Sequence, residues 1–160
     1  MSRCCDCYYY DEINSYSGWC GYFSNSKVYA DDKACDHYTE TGGSGGCFMT
    51  TACCEFMGLS DDCYELTTMR KFRDEYLVNK NYGKQLIATY YSRAPKIVDR
   101  INAMECKEKI YRYIYSQIRK FVSLFEHEKY DDITIEYLTM MYRVDLISRG
   151  EERMDYGEIV

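Results

Sequence analysis

Proline is almost absent from this chain: Pro95 is the single one in 160 residues, beside ten glycines. That excludes a collagen-like or polyproline architecture, which needs abundant proline or glycine at every third position. Long apolar runs are missing too, and with them a spanning helix, which requires roughly 20 consecutive apolar residues. Basic charge is in the minority, 20 Lys and Arg against 26 Asp and Glu, for a net −6. There is therefore no global electrostatic attraction for nucleic acid or an anionic membrane. Aliphatic residues are scarce as well: Leu, Ile, Val and Phe number 30, just under one fifth of the chain. Such a deficit combined with high net charge signals disorder. Here the net charge is low, and 19 Tyr, 8 Met and 10 Cys supply apolar surface in its place. A wholly disordered chain is not expected.

Ten cysteines are many, yet sparser than in a small disulfide scaffold. Met1 to Tyr10 shows neither a basic n-region nor an apolar h-region. The expectation is a cytoplasmic protein with reduced thiols and no membrane association.

Composition changes abruptly near residue 46. Residues 1–46 hold five Cys and seven Tyr but only three of the 30 Leu, Ile, Val and Phe residues. Gly and Ser punctuate them, no helical or strand period persists, and they end in the flexible Thr41-Gly42-Gly43-Ser44-Gly45-Gly46. They read as an irregular Cys/Tyr-rich arm, with no strand hairpin anywhere in the chain.

Residues 47–150 read as a helical domain and 151–160 as a frayed tail. A short helix fits Cys47 to Phe56. Ser60, Asp61 and Asp62 offer caps for a second that runs to Leu77. Asn81-Tyr82-Gly83 breaks the chain, Leu86, Ile87, Tyr90 and Tyr91 form the next helical face, and Pro95 interrupts or restarts it. A long helix over roughly 103–126 is marked by Ile110, Ile114, Ile118, Phe121 and Phe125, one stripe at steps of three and four. Asp131 or Asp132 caps a last helix carrying Ile133, Tyr137, Met140 or Met141, Val144 and Ile147, closed by Gly150. The fold class is all-α, a small domain of about five helices behind the arm.

Three ordered motifs stand out. Gly45-Gly46-Cys47-Phe48-Met49-Thr50-Thr51-Ala52 leads to Met69-Arg70-Lys71-Phe72-Arg73-Asp74-Glu75-Tyr76-Leu77, then to Gly83, Leu86, Tyr90, Tyr91, Ala94 and Pro95. Over about residues 45–102 this resembles the bacterial CFI-box C-terminal domain family. Met49 stands where that family usually has Ile, Met69 where it has Leu, and Ala94 where it has Ser. The resemblance implies a small helical bacterial module and carries no established reaction.

Cys47 opens a helix directly after glycines, where the positive end of the dipole favours a thiolate. Thr51 lies one turn on, and Arg70 and Arg73 lie on the following helix, with Asp74 able to orient one of them by a bidentate pair. One reading is a reactive or modified thiol; the other is a core Cys with Arg73 and Asp74 tying helices together. Only His37 and His127 could serve as a base, and the fold would have to bring one in. A second constellation, Cys4, Cys7 (with Cys5 as an alternative), Cys20, Cys35 and His37, has the ligand types zinc prefers and could fold the arm. In a third group, Cys53, Cys54 and Cys63, the adjacent pair points different ways on a helix, so burial of one and exposure of the other is expected rather than a ligand pair.

Tyr8, Tyr9, Tyr10, Tyr111, Tyr113 and Tyr115 could stack bases, beside Lys107, Lys109, Arg112, Arg119 and Lys120. Glu105 and Glu108 dilute that patch, which reads as a solvated face. A Tyr- and Met-rich surface fits a protein partner better. The leading expectation is a non-enzymatic interaction module whose arm orders on zinc or a partner; a thiol-dependent site at Cys47 is the alternative.

Overall fold

The computed structural model describes residues 10–14, 17–20, 26–29, 31–33 and 47–154. The chain divides into two units, Met1–Gly46 with Gln85–Arg93, and Cys47–Lys84 with Ala94–Val160.

In the first unit, β1 (Tyr10–Asn14), β2 (Ser17–Cys20) and β3 (Ser26–Tyr29) form an antiparallel sheet in that order. Tyr10 faces Cys20 and Ser17 faces Tyr29 across the ladders, and the register slips between Glu12 and Asn14. These strands correct the expectation of an arm without hairpins. They are only four or five residues long, too short for an alternating pattern to show. Backbone pairing needs no apolar face, and Tyr10, Ile13, Trp19, Val28 and Tyr29 favour extended backbone.

The helical domain is all-α, with five α-helices. These are α1 (Phe48–Phe56), α2 (Tyr64–Lys71), α3 (Gly83–Asn102), α4 (Lys107–Glu126) and α5 (Tyr130–Ser148). Helix α4 is the post: Ile110, Ile114, Ile118 and Phe121 have no exposed surface, and α1, α2 and α5 all pack against it. The stripe works because its steps of three and four return each side chain to one face. Burying a residue of this size contributes about 1.5–3 kcal/mol. From α5, Ile133, Met140, Val144 and Ile147 complete the core, with Met49, Leu66, Ile97 and Ile101 from the other helices.

Helix ends follow from local chemistry. Gly58 and Gly150 adopt positive φ and close α1 and α5 with paired hydrogen bonds, Gly58 N to Glu55 O and Leu59 N to Cys54 O, Gly150 N to Ile147 O and Glu151 N to Leu146 O. Glu128, with φ 57°, closes α4 in the same way without being glycine. Asp131 and Asp132 lie in the first turn of α5, where they favour the dipole, while Lys129 holds the capping position.

Two segments depart from the sequence reading. Pro95 neither interrupts nor restarts a helix: α3 runs through it. Proline removes one intrahelical bond, and the burial of Ala94, Pro95, Ile97 and Ile101 offsets that loss. Beyond α2 the chain continues to Asn79, but as a π-helical turn (Phe72–Tyr76) followed by a 3-10 turn (Leu77–Asn79). Gly83 then starts α3 so close to this turn that a β-carbon there would stand 1.7 Å from the Leu77 carbonyl oxygen. Gly83→Ala must therefore push backbone against backbone. It should lower unfolding free energy by at least ~2 kcal/mol in urea denaturation; an unchanged midpoint would show that the approach is not tight.

Candidate functional site

Cys47 is the N-cap of α1, and its carbonyl accepts the Thr51 amide at 2.6 Å. Its side chain makes no cap bond. The residue is 7 % exposed, and Arg73 Nη1 points at its Sγ from 3.9 Å. The π turn is what aims that guanidinium. Such turns carry an i+5 hydrogen-bond pattern and often mark functional positions. The same guanidinium donates from Nε and Nη2 to the two carboxylate oxygens of Asp74 at 2.6 and 2.9 Å. Asp74 thus holds the fork while its last nitrogen faces the thiol.

Arg70 is placed differently. It donates to the Asp61 carbonyl at 2.9 Å and to both Asp61 carboxylate oxygens at 3.1 and 2.6 Å. Asp61 was expected only as a capping residue of the α1–α2 loop; this loop instead pins Arg70. Two buried polar atoms here have no hydrogen-bond partner, Thr51 Oγ1 and Arg70 Nε.

Two opposing effects act on the Cys47 thiol. Burial pushes its pKa up; the positive charges of Arg73 and then Arg70 pull it down, and Asp74 pushes it up again. Burial is the largest and the net direction is upward. Of the two readings of Cys47, its burial accords with a core thiol, since a charge that the dipole and the arginines would favour has lost its water. His127 caps the C-terminus of α4, its Nδ1 bonded to the Ser123 carbonyl at 2.7 Å; it is exposed and serves no thiol.

Two of the other cysteines of the domain are buried more completely than expected, while Cys63 is half-buried and Cys106 is exposed. Both Cys53 and Cys54 are inside. Cys53 donates to the Tyr111 carbonyl at 3.3 Å, and burial pushes its pKa up to about 12. Burial pushes the Cys54 thiol up as well, and Cys63 stands half-buried at the N-cap of α2. Of the zinc constellation, Cys4, Cys7, Cys35 and His37 lie outside the described residues, as do Cys5, Tyr8 and Tyr9, and Cys20 is placed only by its backbone in β2. Among the described residues no three His, Cys, Asp or Glu side chains come together as a metal site.

The tyrosine platform is not available for stacking in α4: Tyr111 and Tyr113 are buried. Tyr111 donates to Asn102 Oδ1 at 2.8 Å, and Tyr115, half-buried, to Glu65 Oε1 at 2.8 Å. Arg112 pairs with Glu108, and Lys120 with Glu136.

Comparison with known proteins gives no match: no family model, no curated protein and no solved structure matches the chain. Among the described residues no helix is long and apolar enough to cross a membrane.

Because the folded thiol titrates above its ordinary value, its neutral form contributes stability that is complete below that value. The contribution is lost as pH rises through the raised one. Native protein treated with iodoacetamide at pH 7 should react at Cys47 at least ~10-fold more slowly than free cysteine. Arg73→Met should slow it further. Site mapping by mass spectrometry reads both, and a rate above that of free cysteine is the contrary result.

Proposed function

We propose that this chain is a non-enzymatic interaction module: a helical domain that docks a protein partner and carries a Cys-rich arm, residues 1–46, that orders on zinc or on the partner. What supports the docking role is the outer face of α5. Ile135 is 64 % exposed and Tyr142 59 %. Seven residues apart, they stand two turns apart on one line, with the half-buried Leu138 and Leu146 beside them. Helix α5 is thus apolar on both sides, Ile133, Met140, Val144 and Ile147 inward and this stripe outward. A helix on a solvated surface ordinarily turns charges outward; an aromatic and aliphatic stripe is the makeup of an interface centre. A benzophenone side chain at Thr139, within the stripe, should give a specific photo-adduct in cells of the natural source. Ile135→Asp with Tyr142→Asp should abolish it while shifting Tm by less than ~3 °C, since neither residue fills the core. Adducts no different from those of a probe at exposed Glu105 would remove the docking role, and an adduct of the chain with itself would make the partner a second copy.

The arm belongs to the same proposal through its chemistry. Thiolates and an imidazole from Cys4, Cys7, Cys20, Cys35 and His37 could supply folding energy that three aliphatic and Phe side chains in residues 1–46 do not. Protein purified under reducing conditions should hold stoichiometric zinc, lost when the four cysteines become Ser. Zinc-free protein with the same circular dichroism as the variant is the opposing result. A relation to the CFI-box family is also part of the proposal and rests on the three motifs between Gly45 and Pro95.

A second reading keeps Cys47 as a site of redox or covalent modification. It is favoured by one observation, the Arg73 guanidinium at 3.9 Å from its sulfur, and it ranks behind because that sulfur is buried.

A further inference from the structure

The outward face of α5 has an order along its length as well as an apolar middle. Asp132, Thr139 and Leu146 step by seven, and so do Ile135, Tyr142 and Arg149, three positions further on. Seven residues are nearly two helical turns, so these are two adjoining lines on one face. Five of the six residues are exposed and Leu146 is half-buried, while Ile133, Met140, Val144 and Ile147 occupy the opposite side. The face begins in an acid, passes through Ile135, Thr139, Tyr142 and Leu146, and ends in a base, Arg149, at the C-cap. Thr139 does not break the apolar middle, because its hydroxyl donates to the Ile135 carbonyl of its own helix at 2.8 Å. Asp131 accepts from Tyr76 at 2.8 Å and lies 3.4 Å from Lys80. Among the described residues no group holds the exposed Asp132 carboxylate. At the other end, Arg149 places Nη2 3.4 Å from Asp145 and Nη1 2.9 Å from Glu151. A guanidinium has five N–H donors, which leaves some for a further carboxylate.

We infer that the occupant of this face is a second copy of the chain, its α5 laid antiparallel on the first about a two-fold axis. This rests on the reading of α5 as a docking face and names what docks there. Reversing the helix about a point between Thr139 and Tyr142 sets Asp132 opposite Arg149 of the second copy. The same reversal sets Ile135 opposite its Leu146 and Thr139 opposite its Tyr142. Each contact then occurs twice, as an isologous interface requires. Antiparallel alignment also brings the positive end of each helix dipole beside the negative end of the other. A parallel pair would oppose acid to acid and base to base. A peptide of single charge sign would meet one matched end and one opposed end. One helix face is at the small end of specific interfaces, so the dimer is weak, with a Kd on the order of 10–100 μM.

The test is sedimentation equilibrium of the full chain, reduced and at low salt. The wild type should pass from monomer to dimer across that concentration range. Asp132→Arg and Arg149→Asp each oppose like charges at both ends and should raise Kd at least ~10-fold, with circular dichroism unchanged. An equimolar mixture of the two variants regains opposite charges at both ends. It should dimerise within ~3-fold of the wild type although neither variant does so alone. A wild type that stays monomeric up to ~1 mM overturns the inference. So does a dimer that neither variant weakens, or a mixture no tighter than its components. Should a variant misfold, the wild-type sequence with a benzophenone side chain at Thr139 still decides. Purified, it should cross-link to residues 138–146 of a second copy, and a self-adduct elsewhere, or none, is the contrary result. A monomeric chain whose probe still captures a different protein in cells loses the second copy and keeps the docking role.

Discussion

Packing against α4 is the constraint on which the rest of the helical domain depends. Its four residues with no exposed surface, Ile110, Ile114, Ile118 and Phe121, are one wall of the core, and the helices carrying Cys47, Arg73 and the α5 stripe take their places from it. The Cys53 thiol, bonded to the Tyr111 carbonyl, sets α1 on this wall with a small side chain that fills space and satisfies its own weak donor. From there Cys47 can only lie at the edge of the core. Its burial and its distance from Arg73 are consequences of how α1 is seated, which is why the electrostatics of the corner favour a neutral thiol over an activated one.

Tyrosine is how a chain poor in aliphatics completes this core. Each buried or half-buried ring contributes apolar area and then needs a partner for its hydroxyl. Tyr111 finds Asn102, Tyr115 finds Glu65, and Tyr76 finds Asp131 at 2.8 Å, while Tyr137 shares a 3.3 Å contact with Thr50. The cost of taking phenols out of water shows in their titration: Tyr111 and Tyr115 are both pushed up to about 12, chiefly by burial. At the junction of α4 and α5, Phe72, Tyr76, Tyr130 and Phe125 form a chain of ring contacts. Lys80 lies over the Tyr76 ring at 4.3 Å. Asp131, hydrogen-bonded by Tyr76 and facing Lys80, is held below the usual carboxylate range. Aromatic rings here combine the work of core residues with that of polar clasps, so these helices are tied by directional bonds as well as by area.

What could be read from the sequence was whatever repeats. The α4 stripe and the five-helix content were legible because periodic apolar positions have no other economical explanation. The motif residues Cys47, Arg70, Arg73 and Asp74 were also visible, but their partners were not. Asp61 reaches Arg70 through the path of a loop, nine residues away, and no local pattern encodes that path. The short strands of the arm are held by main-chain pairing and carry too few residues for a period. The π turn has no glycine or proline to announce it, and Pro95 announced a break that packing overrides. The balance at Cys47 was left open between two readings for a related reason: the dipole and the arginines can be guessed from spacing, whereas desolvation depends on burial, which spacing does not give.

The π turn at Phe72–Tyr76 has a consequence for the phase of the chain. A turn with i+5 bonding holds about one residue more than an α-helical turn, so it retards every later side chain by about 100°. Arg73, early in the turn, looks back toward α1, while Tyr76, at its end, reaches the start of α5. One short segment therefore serves two neighbours that an unbroken α-helix would present on faces in the wrong relation. A homologous chain one residue shorter here would regain regular pitch and have to give up one of the two clasps, the guanidinium beside the sulfur or the phenol on Asp131.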